Sequence, residues 1–193
     1  MTAATETANK TNAAAPGTVT TWNIDPAHSA AEFKVKHMMI SNVKGKFTGL
    51  TGVLNLDEAD VMKSSIEASI PVGTVSTGED QRDGHLKSAD FFDVEKFPAM
   101  TFKSNKVARV SEGELAVSGD LTLHGVSKAV TFAVEGPSEP AKDPWGNLRV
   151  GLSATAKINR KDFGLTWNSA LETGGVLVGE DIAITLDVEF IKA

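Results

Sequence analysis

The chain contains no cysteine and no tyrosine among its 193 residues. Without cysteine it can form no disulfide framework, and it offers no thiolate as a nucleophile or metal ligand. Without tyrosine it also lacks a phenol that could act as a general acid. These two absences leave histidine, carboxylate, hydroxyl and cationic side chains as the groups available for chemistry.

A basic excess is also missing. Lysine and arginine number 19 against 25 aspartates and glutamates, which gives a formal net charge of -6. Nonspecific nucleic-acid binding and electrostatic docking on an anionic membrane both depend on a basic surface. The overall composition therefore argues against either role.

Long apolar runs are absent as well. No stretch approaches the roughly 18 apolar residues that a membrane-spanning helix needs. The first ten residues lack the basic start and the run of large apolar side chains that mark a secretory signal. The sequence as given predicts no integral membrane span and a cytoplasmic location.

Motifs for catalysis and for metal or nucleotide binding do not occur. There is no glycine-rich phosphate loop between a strand and a helix, and no Gly-x-Ser-x-Gly elbow. The four histidines, at positions 28, 37, 85 and 124, include no pair at metal-ligand spacing. We therefore predict no catalytic residue, no metal site and no cofactor.

What the sequence does contain is alternation of apolar and polar residues, most clearly in 148–158 and 182–190. This period-two pattern predicts about eight mostly antiparallel strands with one apolar face each, hence an all-β sandwich or closed barrel. The strands are long and glycines interrupt 43–56, which we interpret as one curled strand after a turn at Ser41-Asn42, so a barrel is favoured. Residues 1–17 are predicted to be a flexible tail, and 18–193 a single domain.

One short helix is predicted near residues 78–89, with Thr77 as its N-cap and Asp80 completing an approximate capping box. Arg82 and His85 fall on one helical face, and a cluster of phenylalanines follows the helix. This segment could plug one end of the barrel or bind a ligand with a polar head and an apolar tail. Arg82 and Asp83 could equally form ion pairs that fix the helix to the barrel rim.

The apolar strand faces carry many small residues as well as phenylalanine, which leaves room for a ligand inside a barrel. His37 is in register with Phe33 and Val35 and is predicted to point inward, either as a core histidine or as a contact to a ligand head. His124-Gly125 is predicted to form a two-residue hairpin loop. The candidate ligand-binding residues are Phe33, Val35, His37, Phe47, Arg82, His85, Phe91, Phe92, Phe102, Leu121, Phe132, Leu152, Arg160, Phe163 and Trp167.

Several short motifs, each weak alone, occur in an order and spacing that resemble the YceI-like family. They cover almost all of the chain after the tail. In chain order they are Trp22-x-Ile24-Asp25-x-x-His28-Ser29, Phe33-x-Val35-x-His37-Met38, Val43-x-Gly45-x-Phe47, Arg82-Asp83-x-His85-Leu86-x-Ser88-x-Asp90-Phe91-Phe92-Asp93, Phe97-Pro98, Gly119-Asp120-Leu121-Thr122-Leu123-His124-Gly125-Val126, Arg160-x-Asp162-Phe163-Gly164-Leu165 and Leu177-Val178-Gly179.

The resemblance implies an extended lipocalin-like antiparallel barrel with a long apolar tunnel. It also implies binding of a long-chain amphiphile such as an isoprenoid quinone or prenyl pyrophosphate, and a homodimer is a further expectation. Many members of that family are exported, whereas this sequence shows no export signal. The leading hypothesis is thus a lipid carrier or storage protein. The alternative is an enzyme on a lipid-like substrate that uses His85 or His37 with Arg82, and a third is a filled barrel that acts through its surface.

Overall fold

The structure is a computed structural model that describes residues 18–172 and 174–193; the predicted tail lies outside this part. Every strand belongs to one antiparallel sheet, and the alternating residues place their apolar members inward. The strands are β1 Val19–Ile24, β2 Ala30–His37, β3 Ser41–Phe47, β4 Thr51–Asp57, β5 Ser65–Pro71, β6 Ala99–Ser111, β7 Glu114–Leu123, β8 Val126–Glu135, β9 Ala141–Lys142, β10 Leu148–Asn159 and β11 Val178–Lys192. The α-helix α1 spans Asp80–Lys87, and short 3₁₀ helices span Val61–Lys63, Val72–Thr74 and Arg160–Phe163.

Eight strands close the barrel in the order β11, β1, β4, β5, β6, β7, β8 and β10, because β10 pairs with β11 along almost its whole length. The long strand β11 is central to this closure. Its last residues pair with β1, while its first ten residues pair with β2 on the same side. The β2–β3 hairpin therefore continues the barrel wall beyond β1 and β4, toward the end where α1 lies. The predicted all-β barrel of about eight antiparallel strands is confirmed.

Two local predictions about the third and fourth strands are wrong. Residues 43–56 form two strands, because the chain leaves the sheet at residues 48–50, where Gly49 adopts a left-handed φ of 73°. The turn lies at residues 38–40 rather than at Ser41-Asn42, which are already paired with β2. Met38 and Met39 take positive φ values of 50° and 61° in this turn. Neither residue type signals such a turn.

The β7–β8 hairpin confirms the predicted loop at His124-Gly125, since both residues have positive φ and the strands end directly beside them. The connection between β8 and β10 contains the two-residue strand β9, which pairs with the start of β10. The helix is also shorter than predicted, by two residues at each end.

The interior is lined by three apolar clusters. The largest joins β7, β8 and β10 with Phe163 and Leu165 near the helix end, and the second surrounds Trp22 and Phe190 toward the opposite end. The third packs Phe47 and Val72 close to α1. Within the described residues, no helix is long and apolar enough to cross a membrane.

Candidate functional site

The barrel encloses an apolar cavity of about 240 Å³, which we call the interior cavity. Inward side chains of all eight barrel strands line it, from Leu56 and Leu115 at one end to Ile182 and Leu186 of β11. Leu86 of α1 and the adjacent phenylalanines close it at the helix end. A space lined almost entirely by apolar side chains is suited to a hydrocarbon chain and poorly suited to a polar ligand.

A second space of about 380 Å³, the vestibule, lies between α1 and the end of β2. The two spaces adjoin, since the same residues form a wall of each: Phe33, Val35, Leu86, Phe91 and Val178. The vestibule wall also carries polar side chains, including His37, Arg82 and His85. An elongated molecule with an apolar end and a polar end would match this pair of spaces.

The start of α1 is anchored by a hydrogen-bond network around the buried Asp83 carboxylate. The backbone N–H and the hydroxyl of Thr77 both donate to Asp83 Oδ1, at 2.8 and 2.5 Å. The Arg82 guanidinium donates to the Thr77 hydroxyl from Nε at 2.7 Å and to the Thr77 carbonyl from Nη2 at 3.2 Å. Ser76, next to Thr77, pairs with Lys46 of β3. Through these bonds the helix is held to the barrel rim, whereas neither Arg82 nor Asp83 forms an ion pair with another residue of 18–172 and 174–193.

Thr77 is not the N-cap, contrary to the sequence prediction. The cap is Glu79, whose carboxylate accepts from the N–H groups of Gln81 and Arg82 at 3.2 and 2.7 Å. The Thr77 hydroxyl is unavailable because it is used by Asp83 and Arg82. Sequence spacing alone did not identify Glu79 as the cap.

The buried Asp83 carboxyl remains ionised because of these contacts. Burial raises its pKa, but the hydrogen bonds from Thr77 and Ser76 and the charge of Arg82 lower it by more. The net effect is a pKa below the ordinary aspartate value. An ionised Asp83 also lies in the first turn of α1, where the helix dipole favours negative charge.

At the other end of α1, His85 lies within an aromatic group at the vestibule. Its Nε2 is 2.8 Å from Asp90 Oδ2 in a hydrogen bond. Its ring lies edge-on to Phe91 and to Trp167, with centroids 5.1 and 4.6 Å away. The carboxylate orients the imidazole, and the two aromatic rings hold it between the polar vestibule and the interior cavity.

Arg160 is a buried cation on the interior cavity wall, with only 4 % of its surface exposed. It donates to the backbone carbonyls of Gly179 and Leu165 at 2.8 and 2.6 Å, and more weakly to that of Val178 at 3.4 Å. Burial lowers its pKa, and the charge of Glu180 partly offsets this effect. The guanidinium thus ties the 160–165 loop to the beginning of β11, where the interior cavity and the vestibule adjoin.

The structure places the predicted ligand-binding residues in three groups. Those on the interior cavity wall are Phe33, Val35, Phe47, Phe91, Phe92, Phe102, Leu121, Phe132, Leu152 and Arg160. Those on the vestibule wall include His37, Arg82, His85 and Trp167. Phe163, also predicted to bind the ligand, lies on neither wall: the residue is 1 % exposed and packs within the largest core cluster.

Sequence reasoning missed several lining residues. Ile182, Ile184, Leu186 and Val188 of β11 line the interior cavity, and their alternation with polar residues was the available signal. Asp90, the partner of His85, gave no signal because five positions separate the two residues across the end of the helix.

The remaining histidines have structural contacts. His124 Nδ1 lies 3.2 Å from the Phe163 carbonyl oxygen, and the His124 ring packs edge-on against Phe97. His28 closes its loop through a 2.8 Å bond between its Nδ1 and Asp25 Oδ2.

A charged cluster joins Asp25 and His28 to Glu189, with ligand atoms within 4.8 Å of one another. The Arg149 guanidinium already bridges these carboxylates, since it donates to Asp25 and Glu189 and also to Asp143 at 2.8 Å. Hydrogen bonds from Arg149 and His28 lower the pKa of Asp25 to about 2. These ion pairs link β10, β11 and the β1–β2 connection, which indicates a structural role for the cluster.

Comparison with known proteins identifies the family. A match to the YceI-like domain covers residues 22–190. A UPF0312 protein of Staphylococcus aureus is 38 % identical over 174 residues, which cover 89 % of this chain and 98 % of that protein.

Solved structures show the same fold. The YCEI protein of Campylobacter jejuni has a TM-score of 0.69 at 33 % identity, covering 82 % of this chain and 90 % of that one. A polyisoprenoid binding domain from Saccharophagus degradans has a TM-score of 0.64 at 16 % identity, covering 89 % and 98 %. On this combination of a nearly full-length domain match and similar relatives, the chain belongs to the YceI-like family.

Proposed function

We propose that this protein binds a long-chain amphiphile, of the isoprenoid quinone or prenyl pyrophosphate type, and carries or stores it. The observation that supports this proposal is the interior cavity, which is lined almost entirely by apolar side chains and adjoins a polar vestibule. The tail would lie in the interior cavity and the head in the vestibule. The similarity to a domain described as polyisoprenoid-binding agrees with this arrangement.

The cavity volume indicates how much of a tail it can hold. A water molecule occupies about 30 Å³, and a methylene is of similar size, so 240 Å³ corresponds to roughly eight methylene groups. Their burial contributes about 6 kcal/mol. Micromolar binding requires about 8 kcal/mol after ordering costs of several kcal/mol. Micromolar affinity would therefore require the tail to extend beyond the interior cavity and contacts in the vestibule to contribute as well.

The vestibule offers several groups to the head of the ligand. Arg82 has used two of its donors on Thr77, but its side chain is exposed on the vestibule wall. His37 lies on the same wall. Hydrogen bonds from these groups to an oxygen-rich head would orient the ligand with its tail inward.

The positions of the polar groups on the vestibule wall favour a binding function over catalysis. An enzyme would need an acid or base and a charge-stabilising group at one reacting atom. His85 Nε2 is directed at Asp90, whereas Nε and Nη2 of Arg82 are directed at Thr77, so these atoms do not meet at one reacting atom. The third hypothesis, a filled barrel, does not fit a cavity of this volume.

Titration with a prenyl series tests the proposal. Geranyl, farnesyl and geranylgeranyl pyrophosphate differ only in tail length, and farnesol matches farnesyl pyrophosphate without its charge. We expect affinity, measured by calorimetry, to rise with tail length until the available space is filled, and to fall when the charged head is removed. Equal affinity across the series, or equal binding of inorganic pyrophosphate, would overturn the proposal.

A further inference from the structure

The tip of the β2–β3 hairpin presents apolar side chains to solvent. Met39 and Ile40 are 61 % and 80 % exposed, and Met38 beside them is 40 % exposed. Met38 and Met39 have positive φ values, a conformation that favours glycine or asparagine. Large apolar residues at these positions are unfavourable for the turn and contribute nothing to the core. Such a combination indicates that the tip contacts something outside the protein.

The outer face of the same hairpin is basic. Lys34 and Lys36 on β2 and Lys44 and Lys46 on β3 are all exposed. Lys34 stands directly opposite Lys44, a like-charge pair that weakens a sheet. None of the four lysines forms an ion pair within residues 18–172 and 174–193.

The charge of this hairpin differs from that of the rest of the chain. Residues 30–47 contain these four lysines and one acidic residue, Glu32, which stands opposite Lys46. Their formal charge is +3, so the remaining residues carry -9 in a chain of net charge -6. The net charge of the chain conceals this asymmetry.

The basic hairpin lies beside the vestibule. Lys36, His37 and Val43 of the hairpin form part of the vestibule wall. The Met38 N–H donates to the Leu177 carbonyl at 2.8 Å, which holds the tip against another part of that wall. Glu79, the N-cap of α1, is an acidic group on the vestibule wall, and Asp80 follows it in the first turn of the helix.

We propose that the β2–β3 hairpin docks the protein on the surface of an anionic phospholipid bilayer. Met39 and Ile40 enter the interfacial zone, and the exposed lysines contact lipid phosphates. The acidic remainder of the protein is repelled by the same surface, so docking has one orientation, with the vestibule next to the bilayer. A two-fold dimer formed through this surface would bring two sets of four lysines together. Their repulsion argues against a second copy of the chain as the partner.

Docking would give the proposed lipid a route between the membrane and the interior cavity. This role of the docking surface rests on the proposed function. The contact itself does not require a filled cavity. Vesicle binding and prenyl binding are separate measurements, so a failure of one leaves the other standing.

Vesicle flotation tests the docking surface. We expect the protein to float with vesicles of equimolar phosphatidylcholine and phosphatidylglycerol, and to stay unbound with phosphatidylcholine alone or at high salt. Lys34→Glu with Lys44→Glu should reduce partitioning about tenfold or more. Met39→Asn with Ile40→Thr should also reduce partitioning onto these vesicles. The variant should keep its fold, because asparagine tolerates the positive φ at position 39.

A matched control reverses two exposed lysines elsewhere, Lys106→Glu with Lys142→Glu, and changes the net charge equally. These lysines lie on β6 and β9, away from the hairpin, so the control should float like the parent protein. The proposal is overturned if the parent does not float with anionic vesicles, or if the control loses as much binding as the hairpin variant. It is also overturned if light scattering shows that the hairpin substitutions disrupt a dimer while vesicle binding stays the same.

Discussion

Filling the interior cavity from its own wall should stabilise the ligand-free protein and weaken lipid binding together. Ala154 is suited to this test because it is buried at the cavity wall, between Leu186 of β11 and Val134 of β8. Ala154→Leu adds three carbon atoms on the inward face of β10. In a barrel with no free space the same change would overpack the core.

The expected magnitudes follow from the cavity volume. A cavity of about 240 Å³ has room for three more carbon atoms. Three added carbons that enter this space recover about 2 kcal/mol. For a domain of this size that corresponds to a rise in melting temperature of about 4–8 °C. Overpacking would instead lower stability by about 1–3 kcal/mol.

Thermal unfolding with and without farnesyl pyrophosphate measures both effects. We expect Ala154→Leu to melt higher than the parent protein alone, and to gain less from the ligand. The matched control is Ala133→Leu, the same change on the outer face of β8. It should leave the ligand-induced shift unchanged. A destabilised Ala154→Leu variant that keeps the full ligand shift would refute the assignment of the tail to this cavity.

Two further predictions concern the polar clusters. Asp25→Asn should lower the free energy of unfolding at pH 7 by at most about 2 kcal/mol, because Arg149 and His28 lower the pKa of Asp25 from 3.8 to about 2. The difference from the parent protein should be complete above about pH 5 and shrink as the pH falls toward 2. Thr77→Val should cost about 1.5–3 kcal/mol, because it removes the hydroxyl that donates to Asp83 and accepts from Arg82.

Urea unfolding at several pH values checks both predictions. A gap between Asp25→Asn and the parent that stays constant from pH 7 to pH 2 would contradict the lowered pKa. Thr77→Ser retains the hydroxyl and should remain close to the parent protein in stability. If Thr77→Ser and Thr77→Val lose equal stability, the hydrogen-bond network at the start of α1 is not the cause.

Strand alternation was enough to predict the barrel and most of its inward residues. In β11, for example, Ile182 to Phe190 alternate without interruption and the whole series faces inward. The breaks in the sheet were harder to predict. The turn at Met38-Met39 uses residues that disfavour positive φ, so local sequence preference indicated a turn several residues later.

The other differences between the sequence-based predictions and the structure arise from contacts between side chains that are brought together only by folding. Glu79 is the helix cap because Thr77 is occupied by Asp83, a choice that only the folded geometry decides. Phe163 has the residue type of a cavity wall, yet it packs into the core behind that wall. The predicted polar residues lie on the vestibule wall or, for Arg160, at its junction with the interior cavity. The hydrogen bonds that Arg82 and Arg160 make with the chain were not visible from spacing.

The central claim is that the interior cavity holds the apolar tail of a lipid. Native mass spectrometry of the purified protein, followed by solvent extraction of what it carries, tests this claim most directly. We expect a co-purifying long-chain amphiphile at up to one molecule per chain, and a much lower occupancy in Ala154→Leu than in Ala133→Leu. Repeated preparations that carry no amphiphile, and whose melting temperature does not rise when isoprenoids are added, would contradict the account.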